Sequence, residues 1–173
     1  MSLHIIIDGY NLIRQSASLS RLDEQDILLG REALVDMLAA YRKIKPHPIT
    51  VVFDGQHSPN FSKRQHRQKG IAIRFSPRGT SADDVIKRMV RKQREKALVV
   101  SSDREIIHFA ASCGAATISS RRFEARVEMA AHLDRVDPET HELRGWTPTT
   151  KKKGPARRLS KKQRRNRMKI KKL

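Results

Sequence analysis

The chain has 173 residues, enough for one domain and an appendage and too few for two independent cores. Its 37 Lys and Arg against 18 Asp and Glu give a formal net charge of +19; residues 151–173 hold 13 of those bases and no acid, leaving 24 bases against 18 acids, or +6, elsewhere. The single cysteine, Cys113, excludes intramolecular disulfides and multi-cysteine metal sites.

Leu3–Ile7 is a β-branched run ending at Asp8-Gly9 and reads as a buried strand followed by a turn. Leu22–Lys45 places Ile27, Leu28, Leu34, Val35, Leu38 and Tyr41 at helical spacing before Pro46. Ile49–Phe53 is a second strand ending at Asp54-Gly55. Residues 56–70 are polar and basic and read as a loop, and Ile71–Phe75 as a short third strand. Ser76-Pro77-Arg78-Gly79-Thr80 breaks the pattern, and Thr80 or Ser81 is placed to cap a helix carrying Val85, Ile86, Met89 and Val90 on one face. Ala97–Val100 is a strand ending at Ser101-Ser102-Asp103, followed by a helix that closes at Cys113-Gly114. A last strand at Ala116–Ile118 and a helix at Arg122–Leu133 complete the pattern, which is lost beyond Asp137-Pro138.

Strands alternating with helices predict an α/β domain whose parallel sheet is covered on both faces. Active sites in such sheets lie beyond the carboxyl ends of the strands. Asp8, Asp54 and Asp103 each end a strand-like run, and the pair Asp83-Asp84 opens a helix just after a loop, so all are expected on one edge. An aspartate there has a plain structural use as a turn or helix cap. Several together have another. Converging carboxylates repel and raise one another's pKa unless a cation sits among them, and hard divalent ions take oxygen ligands. Asn11, three residues after Asp8, is placed either to add an amide oxygen or to bond locally, and Ser102 to orient Asp103, to hold a metal-bound water or to bond within its turn.

The segments Ile-Ile-Ile-Asp8-Gly9-Tyr10-Asn11-Leu12-Ile13, Val-Val-Phe-Asp54-Gly55, Thr80-Ser81-Ala82-Asp83-Asp84-Val85-Ile86 and Val-Val-Ser-Ser102-Asp103 occur in that order, with Ile118-Ser119-Ser120-Arg-Arg-Phe123 closing the set. From about Leu3 to Phe123 the chain resembles the YacP-like branch of the NYN domains, PIN-like ribonucleases; the tail lies outside that resemblance. The likeness implies a PIN-like three-layer domain over residues 1–135; lost periodicity and charge add a linker over 136–150 and a basic tail, disordered or helical, over 151–173. It implies metal-dependent endonucleolytic cleavage of RNA with Mg²⁺ or Mn²⁺. Asp8, Asp83 and Asp103 would be catalytic; Asp8, Asn11, Asp83 and Asp103 would form the metal site, with Asp84 sharing the work of Asp83 and Asp54 at the margin. Some PIN-like relatives carry another acid one turn into the helix after the Ser-Asp motif, where this chain has Ile107.

Lys63, Arg64, Arg67 and Lys69 follow the Asp54 motif, and Arg74 and Arg78 precede the Asp83 motif. If the strand ends converge, these bases ring an acidic centre, a layout suited to a phosphate backbone; the other reading is a solvated loop. Tyr10 and Phe61 are placed to stack on an unpaired base or to pack in the domain. The tail is a polycation, with RNA or the ribosome as its expected partner. A membrane is excluded as that partner, because Leu159, Met168, Ile170 and Leu173 are too few to make an apolar helix face, and the tail is expected to bury no core. No run is long and apolar enough to span a bilayer. The start Met-Ser-Leu-His lacks the layout of a secretory signal, so a cytoplasmic protein is expected. No small-molecule cofactor is expected, since the chain has no glycine-rich nucleotide loop. Three functions follow in order: a metal-dependent endoribonuclease in mRNA or rRNA processing or decay, a non-catalytic RNA- or ribosome-binding factor on the same fold, and a DNA-directed nuclease. The last is ranked lowest because flap-type 5′ nucleases use more chain.

Overall fold

Side-chain alternation along the first strand, β1 (His4–Asp8), splits the protein's core in two. A computed structural model describes residues 3–55, 65–135 and 160–173. Within β1, Ile5 and Ile7 point into one apolar layer and Ile6 into the other, as the two-residue period of a strand requires. The same division runs through β2 (Ile49–Phe53), where Val51 and Phe53 face the first layer and Val52 the second, and through β5 (Ala97–Val100). β1, β2 and β5 are buried along almost their whole length, which is why they read as continuous apolar runs.

With β3 (Gln65–Gln68), β4 (Ile71–Phe75) and β6 (Ala116–Ile118), these strands form one sheet in the order β3-β4-β2-β1-β5-β6. All neighbours are parallel except β3, which pairs antiparallel with β4. The loop expected over residues 56–70 is thus partly a hairpin arm; Lys69 and Gly70, both at positive φ, turn it. The fold is the expected three-layer α/β type.

Helices α1 (Gly9–Gln15), α2 (Ala17–Gln25), α3 (Ile27–Ile44) and α6 (Ser120–Arg135) belong to the layer of the larger core. Helices α4 (Ala82–Gln93) and α5 (Arg104–Ser112) cover the smaller one. The helix expected over Leu22–Lys45 is broken, because Asp26 ends α2 and caps α3 by accepting the Leu28 N–H at 2.8 Å. The turn expected after Asp8 is the helix α1, capped by Asp8 itself. At α4, Ser81 is the cap, in a reciprocal box with Asp84.

The tail departs most from expectation. Residues Lys161–Ile170 form α7, which docks on the outer edge of β6. There the Asn166 side chain stands in for a missing strand, accepting the Thr117 N–H at 3.0 Å and donating to the Thr117 carbonyl at 3.5 Å. Leu173 is buried in the larger core, and the Tyr41 hydroxyl donates to its carbonyl at 2.8 Å. The expectation that the tail buries no core is therefore corrected for residues 160–173. Charge counting missed that Asn166 and Ile170, one turn apart on α7, face the domain and that Leu173, just past the end of the helix, reaches its core. Residues 136–150 and 151–159 lie outside the described residues.

Candidate active site

Chain winding decides where the site lies. From β1 the sheet grows one way through β2 and β4, then returns to the other side of β1 as β5 and β6. The crevice at the carboxyl ends of β1 and β5 is therefore the point where the winding reverses, the usual ligand position in open α/β sheets. Asp8 ends β1 and Asp103 follows β5.

Ser101 joins these two acids. Its hydroxyl donates to Asp8 Oδ2 at 3.3 Å and accepts the Asp103 N–H at 3.1 Å, while its own N–H donates to the Ile118 carbonyl at 3.2 Å. Asp8 Oδ1 accepts the Asn11 N–H at 3.2 Å. Asp103 Oδ1 caps α5 by accepting the Glu105 and Ile106 N–H groups at 2.6 and 3.2 Å. Both acids are thus caps and members of one cluster at once; the two readings of the sequence do not exclude each other.

Asn11 acts through its neighbours. Its side-chain oxygen accepts the Ser102 N–H at 2.8 Å and the Ser120 hydroxyl at 2.8 Å, so it ties α1 to the starts of α5 and α6. A backbone N–H can only donate, which identifies the bonded atom as the oxygen, and both of its lone pairs are used. Ser102 does not orient Asp103: its hydroxyl accepts the Ser120 N–H at 3.2 Å, and the orienting task falls to Ser101, which the sequence reading passed over. Asn11→Ala is expected to destabilise the protein by about 2–3 kcal/mol, because two buried donors lose their acceptor. Urea unfolding with an unchanged m-value checks this.

The pair Asp83-Asp84 divides. Asp84 is exposed and accepts both the Ser81 N–H, at 3.3 Å, and its hydroxyl, at 2.9 Å, which hold its carboxyl below the usual range. Asp83 is half-buried and faces the cluster. Burial, then the Asp103 charge, pushes Asp83 up, with Lys87 opposing. Asp8 is pushed up to about 6, first by burial and then by the charges of Asp83 and Asp103, against the bonds from Asn11 and Ser101. Glu105 also bears on Asp83 and is ion-paired with Lys87, which links the second turn of α4 to the first turn of α5. Glu105 is largely exposed and its carboxylate is engaged by Lys87, while Ile107 carries no acid one turn into α5.

Asp54 stands to one side. Its Oδ1 accepts the Ser76 hydroxyl at 3.4 Å, and its charge bears on Tyr10. Tyr10 is packed edge-on against Phe53 with centroids 5.2 Å apart and accepts a bond from Arg31 Nε at 2.9 Å, so it is a core residue and not a base-stacking platform. Of the expected RNA-binding bases, Lys63 and Arg64 lie outside the described residues, as does Phe61. Lys69 is ion-paired with Asp36 of α3, Arg67 lies on β3, and Arg74 and Arg78 lie on β4 and on the loop before α4.

Among the described residues, no group of three or more His, Cys, Asp or Glu side chains is close enough to hold a metal ion. The donors nevertheless fit one in kind: Asp8, Asp83 and Asp103 are hard oxygen ligands under mutual repulsion. Mg²⁺ needs only one or two carboxylates, with waters and substrate phosphates completing its shell.

Carboxylates at the switch point of an open α/β sheet are common to several classes of α/β protein, nucleases among them, and the sequence family narrows the choice. The family model of the YacP-like NYN domain matches residues 5–172, and the chain belongs to this ribonuclease-type family. That match takes in α7, so the tail is inside the family likeness and not beyond it. The fold is similar to the crystal structure of Rae1 (YacP) from Bacillus subtilis, at 24% identity, TM-score 0.64, and 78% of each chain covered. It is also similar to a tryptophan-to-leucine mutant of that protein, at 22% identity, TM-score 0.65, and 77% of this chain and 79% of that one covered. No curated protein matches. Among the described residues, no helix is long and apolar enough to cross a membrane.

Proposed function

We propose that this protein is a divalent-metal-dependent endoribonuclease, acting in the cytoplasm on mRNA or rRNA during processing or decay, in association with ribosomes. One observation carries the reading: the Ser101 hydroxyl joins the buried Asp8 to Asp103 at the sheet's switch point, where the charge of Asp83 also bears on Asp8. Helix caps have no need to meet; ligands for one cation do. Membership of the YacP-like NYN family and the polycationic tail support RNA as substrate.

Asp8 and Asp103, joined through Ser101, are the first choice to hold Mg²⁺ or Mn²⁺, with Asp83 from the opposite wall. Such an ion, when bound, supplies an activated water and stabilises the leaving oxygen of a phosphodiester. The chain's residues set that up. Ser101 and Asn11 fix the Asp8 carboxylate, α5 fixes Asp103, and the Lys87–Glu105 pair spaces α4 from α5.

The test is incubation of unstructured and structured RNAs with Mn²⁺ or with EDTA. Internal cleavage with Mn²⁺ alone is expected, reduced about a thousandfold in Asp103→Asn, which corresponds to several kcal/mol of charge stabilisation. Cleavage in EDTA, or undiminished in the variant, would refute the proposal. The second reading, an RNA-binding protein without turnover, is favoured by the spacing of the acids, no three of which are close enough to share an ion among the described residues. It predicts salt-sensitive binding and no Mn²⁺-dependent product from any RNA.

A further inference from the structure

We propose that the cleft between β4 and α4 is a subsite for one unpaired nucleotide of a single RNA strand, beside the acidic cluster. The proposal rests on the ribonuclease reading for its substrate class.

The cleft has a volume of about 410 Å³, within the range of pockets that enclose small ligands. One wall is the end of β4 and the segment after it, with Arg74, Phe75 and Pro77; Gln65 of β3 lies beside Arg74 in register. The other wall is α4. Its contributing residues, Val85, Arg88, Met89 and Lys92, follow the i, i+3, i+4, i+7 spacing of one helix face. Helix geometry thus alternates an apolar contact with a cation along the cleft.

The chemistry has two parts. Pro77, Val85 and the edge of the largely buried Met89 give an apolar surface, and Arg74, Arg88 and Lys92 give three cations with no acid in the lining; the Phe75 ring turns to the other face of the sheet, onto Phe53. Charge alone would suit any polyanion. An apolar wall between cations suits a base next to its phosphates, and a concave site admits that base only when it is unstacked. Duplex RNA presents its bases stacked and does not fit.

Position connects the cleft to the proposed chemistry. Asp83 lies in the first turn of α4, and Arg88 is five residues further on, about 7–8 Å along the axis at 1.5 Å per residue. The same five residues turn Arg88 about 140° around the axis from Asp83, so a strand leaving the acids passes over the first turns of α4 to reach the cleft. Arg88 Nε donates to the Asp84 carbonyl at 3.3 Å, which leaves the outer nitrogens of its guanidinium to face a phosphate.

The test is fluorescence anisotropy of a short unstructured oligoribonucleotide on the full chain in EDTA, so that binding is read without cleavage. Arg88→Gln/Lys92→Gln changes two exposed side chains and is expected to weaken binding about tenfold. It should flatten the dependence of log K on log salt by about 0.7 for each lost contact. Arg21→Gln/Lys43→Gln removes the same charge from exposed positions on α2 and α3, in the other layer, and should change affinity much less. An abasic strand of equal length should bind the wild type at least about fivefold more weakly than RNA, and Val85→Ser should narrow that gap. Equal losses in the two double variants, unchanged affinity in the cleft variant, or equal competition by a polyglutamate peptide would overturn the subsite. With Mn²⁺ added, the cleft variant should cleave with raised KM. Absence of cleavage by every form, with the binding pattern intact, would refute the nuclease reading and leave the subsite standing.

Discussion

Asp8→Asn is expected to abolish RNA cleavage and, in the same molecule, to raise the melting temperature of the metal-free protein at pH 8. The two effects have one cause. Asp8 is buried among like charges, and its carboxyl is pushed from 3.8 up to about 6. A folded pKa above the unfolded one means that the contribution to stability is complete below about pH 4. It is lost as pH rises through about 6. Above that, the ionised carboxylate costs about 3 kcal/mol, from two pKa units at about 1.4 kcal/mol each. Asparagine keeps the acceptor for the Asn11 N–H and removes the charge. The variant should therefore melt about 5 °C above the wild type at pH 8, from about 2–4 °C per kcal/mol less some loss in hydrogen bonding. The difference should vanish near pH 4. Added Mn²⁺ should raise the wild-type melting temperature by mass action and leave the variant unmoved. Calorimetry across this pH range decides the matter. A variant less stable than the wild type at pH 8 would mean that Asp8 is only a helix cap.

Deleting residues 160–173 is expected to cost about 4 kcal/mol and about 10 °C in melting temperature. Burial of Leu173 contributes about 2–3 kcal/mol, and the bonds from the Tyr41 hydroxyl and the Thr117 N–H about 1 kcal/mol each. The deletion also uncovers the edge of β6, so the shortened protein should aggregate more readily. RNA affinity should fall and its salt dependence flatten, since α7 carries many of the tail's bases. Stability and charge can be separated. Leu173→Ala should cost about 3 kcal/mol by leaving a cavity while keeping every base in place. A melting temperature unchanged by the deletion would show that α7 contributes nothing to the fold and would restore the picture of an unpacked basic tail.

Much of this architecture could be read from the chain, and the parts that could be read share a property. The strands β1, β2 and β5 are buried on both faces and appear as unbroken Ile, Val and Leu runs. The Ser81 cap, Gly114 at positive φ after α5, and the aspartates at strand ends all involve partners a few residues away. Errors began where a local signal had two outcomes. Asp26 looked like one more residue in a long helix, although its side chain stops one helix and starts the next. Ser101 and Ser102 are adjacent and chemically identical, and only packing against Asp8 and Ser120 gives them different tasks.

Local chemistry written in the chain was enough to determine most strands, several caps and the class of fold. Packing alone decided that Asp83 is half-buried while Asp84 closes a cap, that Ser101 joins Asp8 to Asp103, and that α7 returns to the sheet. The reason is the reach of the interactions. A cap spans three residues, whereas Tyr41 and Leu173 meet across 132. No pattern in either segment names its partner until the sheet between them has set the distance.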